Sequence, residues 1–159
     1  MDNSYYRIMA LDYGDVRIGI ALSDVTRFLA SGYENYTRRG LEFDCEHIAK
    51  IASDNNVKVI VIGLPLNMDG SKGVRVEKTY EFAEELKKYT SAQIDFLDER
   101  LTSVSAEKIL ISADVSRKKR KEVLDKLSAT IILQDYLDVR KNNLIWRRID
   151  KWQKNFYHQ

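Results

Sequence analysis

Residues Val57–Leu64 read Val-Lys-Val-Ile-Val-Ile-Gly-Leu, an almost unbroken apolar and β-branched run. Asn55-Asn56 precedes it, and Pro65, the only proline in the chain, closes it. β-Branched side chains pack well on a pleated surface. A run that does not alternate with polar residues needs cover on both faces. The stretch therefore predicts a buried central strand, ended where proline can no longer donate to a ladder. A chain that buries such a strand has to place other elements over both sides of its sheet.

The flanking segments supply those elements. Two apolar runs, Arg7–Tyr13 and Arg17–Asp24, meet at a turn through Gly14 and predict a hairpin. Gly32–Arg38, with Tyr33 and Tyr36, predicts a third, weaker strand. Phe43, His47, Ile48 and Ile51 fall at helical spacing and predict a helix over Phe43–Asn55. After Val57–Leu64 comes the loop Pro65–Ser71, then a helix over Lys72–Tyr89 with Val74, Phe82, Ala83 and Leu86 on its apolar face. Gln93–Leu97 predicts another strand. Thr102 is a good N-cap for a following helix that turns Ala106, Ile109 and Leu110 inward. Residues 112–121 are polar and very basic, and a last helix covers Glu122–Arg140. The order is β-β-β-α-β-α-β-α-α. This predicts one α/β domain over residues 1–159: a mixed sheet, an antiparallel meander plus parallel strands, flanked by helices. The ribonuclease H-like fold has this arrangement.

Composition narrows the function classes. The 159 residues suffice for one domain with a real core. No run approaches the about 18 apolar residues of a membrane span, and the start lacks a charged-then-apolar leader. Cys45 is the only cysteine, so an internal disulfide and a cysteine metal cluster are both excluded. A reducing, cytoplasmic setting and no membrane partner are expected. The net charge of +2 hides an asymmetry. Residues 1–114 carry 14 Lys and Arg against 19 Asp and Glu, and residues 115–159 carry 12 against 5. The basic end suits a polyanionic partner, or simply a solvated surface.

Three acids stand where such a fold would expose them together. Asp12 ends the first strand, Glu99 follows the strand ending at Leu97, and Asp125 lies in the first turn of the last helix. Ser128 and Ala129, three and four residues past Asp125, share its helical face and are small enough for close approach to a sheet. Carboxylates so grouped raise one another's pKa unless a cation meets them. Hard divalent ions such as Mg2+ or Mn2+ take oxygen ligands. Two such ions about 3.5–4 Å apart activate water and stabilise the leaving oxygen of a phosphodiester. Each acid also has a plain reading: turn chemistry for Asp12, a solvated strand end for Glu99, a favourable helix-terminal charge for Asp125. His47 and His158 are poorly placed for a catalytic pair.

Four stretches, taken together, resemble the motifs of a known family. Leu11-Asp12-Tyr13-Gly14 with Arg17-Ile18-Gly19-Ile20-Ala21 and Ser23-Asp24 resembles the opening motif of the YqgF (RuvX) family. Gly63-Leu64-Pro65-Leu66-Asn67-Met68-Asp69-Gly70-Ser71 resembles its second motif. Asp98-Glu99-Arg100-Leu101-Thr102-Ser103 with Ala106, and Asp125-Lys126-Leu127-Ser128-Ala129 with Ile132-Leu133-Gln134, resemble the third and fourth. The resemblance covers Leu11 to about Leu137 and says nothing about the basic extension 142–159. It implies a ribonuclease H-like, cytoplasmic, metal-dependent nuclease with catalytic and metal-holding acids at Asp12, Glu99 and Asp125. Family members are linked to maturation of the 5′ end of pre-16S ribosomal RNA and are also described as Holliday junction resolvases. Ser128 departs from the family's more usual alanine, but both are small.

Supporting residues follow. Arg17 suits a scissile phosphate or an ion pair with Asp15. Asn67 and Ser71 precede a helix N-terminus, where free N–H groups suit a phosphate, although Ser71 is equally suited to capping. This is not a P-loop, since Gly-Lys-Ser/Thr is absent. Arg100 and Thr102 flank Glu99 and could touch substrate, with capping the alternative for Thr102. Arg117, Lys118, Lys119 and Arg120, with Lys121, form a basic run suited to phosphate-backbone contacts. In the tail, Trp146 and Trp152 could stack on bases, but a helix with Ile145, Ile149 and Trp152 packed inward is preferred. The leading expectation is a metal-dependent nuclease acting on structured RNA, with pre-ribosomal RNA favoured. Branched DNA is the alternative: resolving a four-way junction needs two symmetric cuts and hence a dimer, for which the sequence declares no interface. A non-cleaving nucleic-acid-binding module is the reading from another class. An actin-like kinase needs two lobes, for which the chain is too short.

Overall fold

The computed structural model describes residues 4–99 and 127–142. In chain order they form β1 (Arg7–Tyr13), β2 (Arg17–Ser23), β3 (Ala30–Thr37), α1 (Leu41–Asp54), β4 (Val57–Leu64), α2 (Val74–Leu86) and β5 (Gln93–Asp98). Residues 127–142 form a further helix, α3. The expected helix after Thr102, the basic stretch and the tail beyond residue 142 lie outside the described residues. Among the described residues no helix is long and apolar enough to cross a membrane.

The strands form one sheet in the order β3-β2-β1-β4-β5. The meander β1–β2–β3 is antiparallel. β4 pairs parallel with both β1 and β5, so it has a neighbour on each side. Of its residues only Lys58 is exposed, as the unbroken apolar run requires. Each fully buried Val, Ile or Leu contributes about 1.5–3 kcal/mol, which makes this strand a main stabilising element.

Strand alternation divides the core into two layers. Met9 and Leu11 of β1 pack with Cys45, Ile48 and Ile51 of α1 and with Phe82 and Leu86 of α2. Ile8 and Ala10 point the other way, together with Val59 and Val61, onto Ala129, Ile132, Leu133 and Leu137 of α3. Helices thus cover both faces. α3 is pinned at several points. Gln134 accepts the Ala30 N–H at 3.0 Å, the Tyr136 hydroxyl donates to Asp95 at 2.8 Å, and Arg140 donates to the Tyr6 hydroxyl at 2.8 Å.

Two helix faces differ from the expected ones. In α1, Phe43 is exposed and Asp44 and Cys45 are buried instead. The reason is electrostatic: Asp44 turns inward to meet Arg38 Nε at 3.0 Å and the Arg39 N–H at 2.8 Å. In α2, Val74 is exposed and Val76 and Thr79 join Phe82, Ala83 and Leu86 on the buried face. That helix begins at Val74 rather than Lys72 because a turn closed by the Asn67 and Ser71 backbone, with Gly70 at φ 85°, occupies the preceding residues. β3 begins two residues earlier than expected, pairing Ala30 with Ser23.

Candidate active site

The parallel strands β1, β4 and β5 all end at the same edge of the sheet, so residues from distant parts of the chain converge there. Asp12 is the penultimate residue of β1, paired with Gly19 and half-buried. Alternation places it on the face of Ala10, the face that α3 covers. The strand end is held firmly. The Gly14 N–H donates to the Arg17 carbonyl at 2.9 Å, closing the hairpin turn. A Cβ at Gly14 would lie 2.8 Å from that same carbonyl oxygen, so the turn needs glycine. Tyr13 stacks on Phe82 with ring centroids 4.3 Å apart, and the Arg38 guanidinium lies over the Tyr13 ring, 4.6 Å from its centre.

Glu99 directly follows β5, and its side chain reaches Asp12 in a carboxyl–carboxyl hydrogen bond. Burial pushes the Glu99 carboxyl up, to about 7, and the charge of Asp12 and the hydrogen bond to it add to the push. Asp98 pushes the same way, while Arg75 opposes. Two carboxyl groups that share a hydrogen bond need a proton between them. A divalent cation would serve the same purpose with more charge, and oxygen-only ligands suit Mg2+ or Mn2+. On its donor chemistry the pair therefore fits part of a hard-metal site. Among the described residues no group of three metal-ligating side chains forms.

The other expected site residues fall into three groups. Arg17 opens β2 on the same face as Asp12. Asn67 and Ser71 are exposed and engaged with their own turn: Asn67 Nδ2 donates to Ser71 Oγ at 2.9 Å, and the Ser71 N–H and Oγ both donate to Asp69 at 2.9 and 2.6 Å. Ser71 does not cap α2, whose N-cap is Gly73 without a side-chain hydrogen bond. Asp125, Arg100, Thr102, Arg117, Lys118, Lys119 and Arg120 lie outside the described residues. Two residues beside the acids are not among the site residues expected from the sequence, although Gly63 opens the second motif. Arg75, exposed in the first turn of α2, is the cation whose field reaches Glu99. Gly63 of β4 lies under the Glu99 side chain. In sequence Arg75 looks like any solvated helix charge, and Gly63 like a gap in a strand.

Residues 6–139 match the model of the RuvX family, described as Holliday junction resolvase. The chain belongs to the RuvX family. A relative from Halalkalibacterium halodurans, named "Putative pre-16S rRNA nuclease", is 51% identical over 134 residues, 83% of this chain and 96% of that protein. One of the same name from Clostridioides difficile is 47% identical over 137 residues, 86% of this chain and 97% of the relative. Thermus thermophilus RuvC, solved in complex with a Holliday junction substrate, is similar at a TM-score of 0.51 over 86% of this chain and 96% of that one. At 8% identity this is a likeness of fold, and it places this RuvX chain in the ribonuclease H-like class.

Proposed function

We propose that this RuvX-family chain is a metal-dependent nuclease that hydrolyses phosphodiester bonds in structured RNA, with the 5′ end of pre-16S ribosomal RNA as its substrate. The observation that carries the reading is the meeting of Asp12 and Glu99, 87 positions apart in the chain, at one sheet edge. Residues 1–159 are read as a single nuclease domain acting in the cytoplasm, where its substrate is made.

Asp125 completes the acid set in this reading. It precedes Ala129 by four residues, and Ala129 is fully buried on the sheet face that carries Asp12. Asp12, Glu99 and Asp125 would hold a pair of Mg2+ or Mn2+ ions, whose chemistry is to lower the pKa of a water and to stabilise charge on the departing oxygen. The chain's own part is to bind and orient. Arg75 and Arg17 stand at the acid edge and suit the phosphate flanking the scissile bond. Asn67 and Ser71 hold the turn beside them, and Arg100 and Thr102, next to Glu99 in the sequence, are read as further substrate contacts. Arg117, Lys118, Lys119 and Arg120 add backbone contacts that bring affinity without sequence choice.

A second reading, cleavage of four-way DNA junctions, is favoured by the family's description. One assay separates the two. Purified chain is incubated with Mg2+ or Mn2+ on a precursor 16S transcript and on a four-way DNA junction, with Asp12→Asn alongside. Cleavage at the rRNA 5′ end, lowered by about 100-fold or more in Asp12→Asn, is expected. Asp12→Asn cutting as fast as the natural chain would falsify the metal-site reading. Symmetric cuts in the junction alone would support the second reading. Binding to both without cleavage would make the chain a nucleic-acid-binding module.

A further inference from the structure

β1 and β5 are not neighbours, because β4 runs between them. Two strand spacings separate them, roughly 10 Å. For the carboxyl groups of Asp12 and Glu99 to touch, a side chain has to pass over β4. The register shows where. Leu11 pairs with Ile62, so Asp12 comes next to Gly63, and Gly63 pairs with Leu97, two residues before Glu99. A Cβ at Gly63 would lie 2.5 Å from Glu99 Oε1, 2.9 Å from Glu99 Cγ and 2.8 Å from Ile132 Cδ1. Each is closer than Cβ atoms approach other heavy atoms. The space left by the missing side chain is therefore shared by Glu99, crossing toward Asp12, and by Ile132, docking α3.

We infer that Gly63 is a positioning residue: its lack of a side chain is what lets Glu99 cross β4 and reach Asp12. Gly63 touches no substrate and acts through Glu99. A backbone role alone does not require glycine here, since Gly63 has no left-handed φ among the positive values found in the described residues. The requirement is for space. Its link to metal binding rests on the function proposed above, but its effect on the carboxyl pair does not.

The test uses the full chain with Gly63→Ala, Ile132→Val and the two combined, each with and without Asp12→Asn. Ile132→Val removes the Cδ1 that an alanine methyl would strike, and so separates the packing of α3 from the passage of Glu99. In metal-free protein the meeting of the two carboxyl groups is read as the shift of the Glu99 carboxyl 13C resonance on Asp12→Asn. Mn2+ affinity is read by calorimetry and folding by melting temperature. Ile132→Val should keep both the resonance response and the affinity. The combined variant should melt within a few degrees of Ile132→Val, yet lose the response and bind Mn2+ about tenfold or more weakly. A combined variant that keeps the response overturns the inference and leaves Gly63 as room for Ile132 alone. If the natural chain shows the response but binds no Mn2+, the metal reading falls and the assignment of Gly63 stands. Should Gly63→Ala unfold, Glu99→Ala is expected to restore its melting temperature. Failure to restore it would assign the crowding to Ile132 and also overturn the inference.

Discussion

Asp12 and Glu99 share a hydrogen bond, so below about pH 7 one of the two carboxyl groups carries a proton in the metal-free fold. Because burial and the neighbouring charge raise the Glu99 pKa from 4.5 to about 7, the unfolded chain releases its proton first as pH rises. The group's contribution to stability is therefore fully present below about pH 4.5 and is lost as pH climbs through about 7. Asp12→Asn removes the like charge and supplies an amide that can donate to the ionised Glu99. In EDTA it should raise the melting temperature at pH 8 by a few degrees, roughly 1–2 kcal/mol, and change it little at pH 4.5. Melting curves across that range check this, and a gain that does not depend on pH would mean the pair is not electrostatically coupled. The same substitution should abolish cleavage, so stability and activity move in opposite directions, as expected when a fold holds like charges together for function.

Among the elements, the hairpin carrying Asp12 is braced from α1. The buried Asp44 carboxylate accepts from Arg38 Nε, from the Arg39 N–H and from the Tyr36 hydroxyl. Burial first, and then that bond to Asp44, push the Tyr36 hydroxyl up to about 12. Arg38 also donates to the carbonyls of Gly14 and Asp15 at 3.3 Å each. The helix start, β3 and the β1–β2 turn are thus tied through one charge pair. Asp44 is fully buried but Arg38 is partly exposed, so removing the carboxylate leaves a guanidinium that water can reach. The main loss is that of the buried bonds to the Arg39 N–H and the Tyr36 hydroxyl, about 1–3 kcal/mol. Asp44→Ala should lower stability by that order in urea titrations. In the variant that remains folded, Mn2+ binding at Asp12 should also weaken, because the turn loses its anchor. Unchanged Mn2+ affinity in folded Asp44→Ala would show that the brace serves stability alone.

Across the full chain, charge is uneven: the first 114 residues are acidic and the remaining 45 are basic, with Asp125 as the one proposed site acid in the basic part. The acids Asp12 and Glu99 belong to the acidic first 114 residues, and the run Arg117–Lys121 to the basic remainder. In the proposed nuclease the acids do chemistry and the basic run holds the backbone of the polyanion. Replacing Arg117, Lys118, Lys119 and Arg120 together with Gln should weaken RNA binding to a similar degree for unrelated sequences. The salt dependence should also become shallower, by about 0.7–0.9 in log–log slope for each phosphate that is no longer neutralised. Filter binding at several salt concentrations reads both quantities. An unchanged slope would return the run to a solvated surface.

What depends on local pattern is legible in the residues alone. The β-branched run and its proline mark β4 to the residue, and the Gly14 turn marks the hairpin, because strand propensity and turn chemistry act over a few neighbours. Asp12 and Glu99 stand out for the same reason, as acids at the ends of apolar runs. Which strands lie side by side, and which residue of a helix faces in, emerges only on assembly. Sheet order comes from pairing between distant segments, so only the assembled sheet puts β4 between the two acids and makes Gly63 their passage. Burial likewise depends on the partner that arrives. Asp44 is inside because Arg38 meets it, Phe43 and Val74 are outside because the core is filled without them, and no apolar periodicity carries that information.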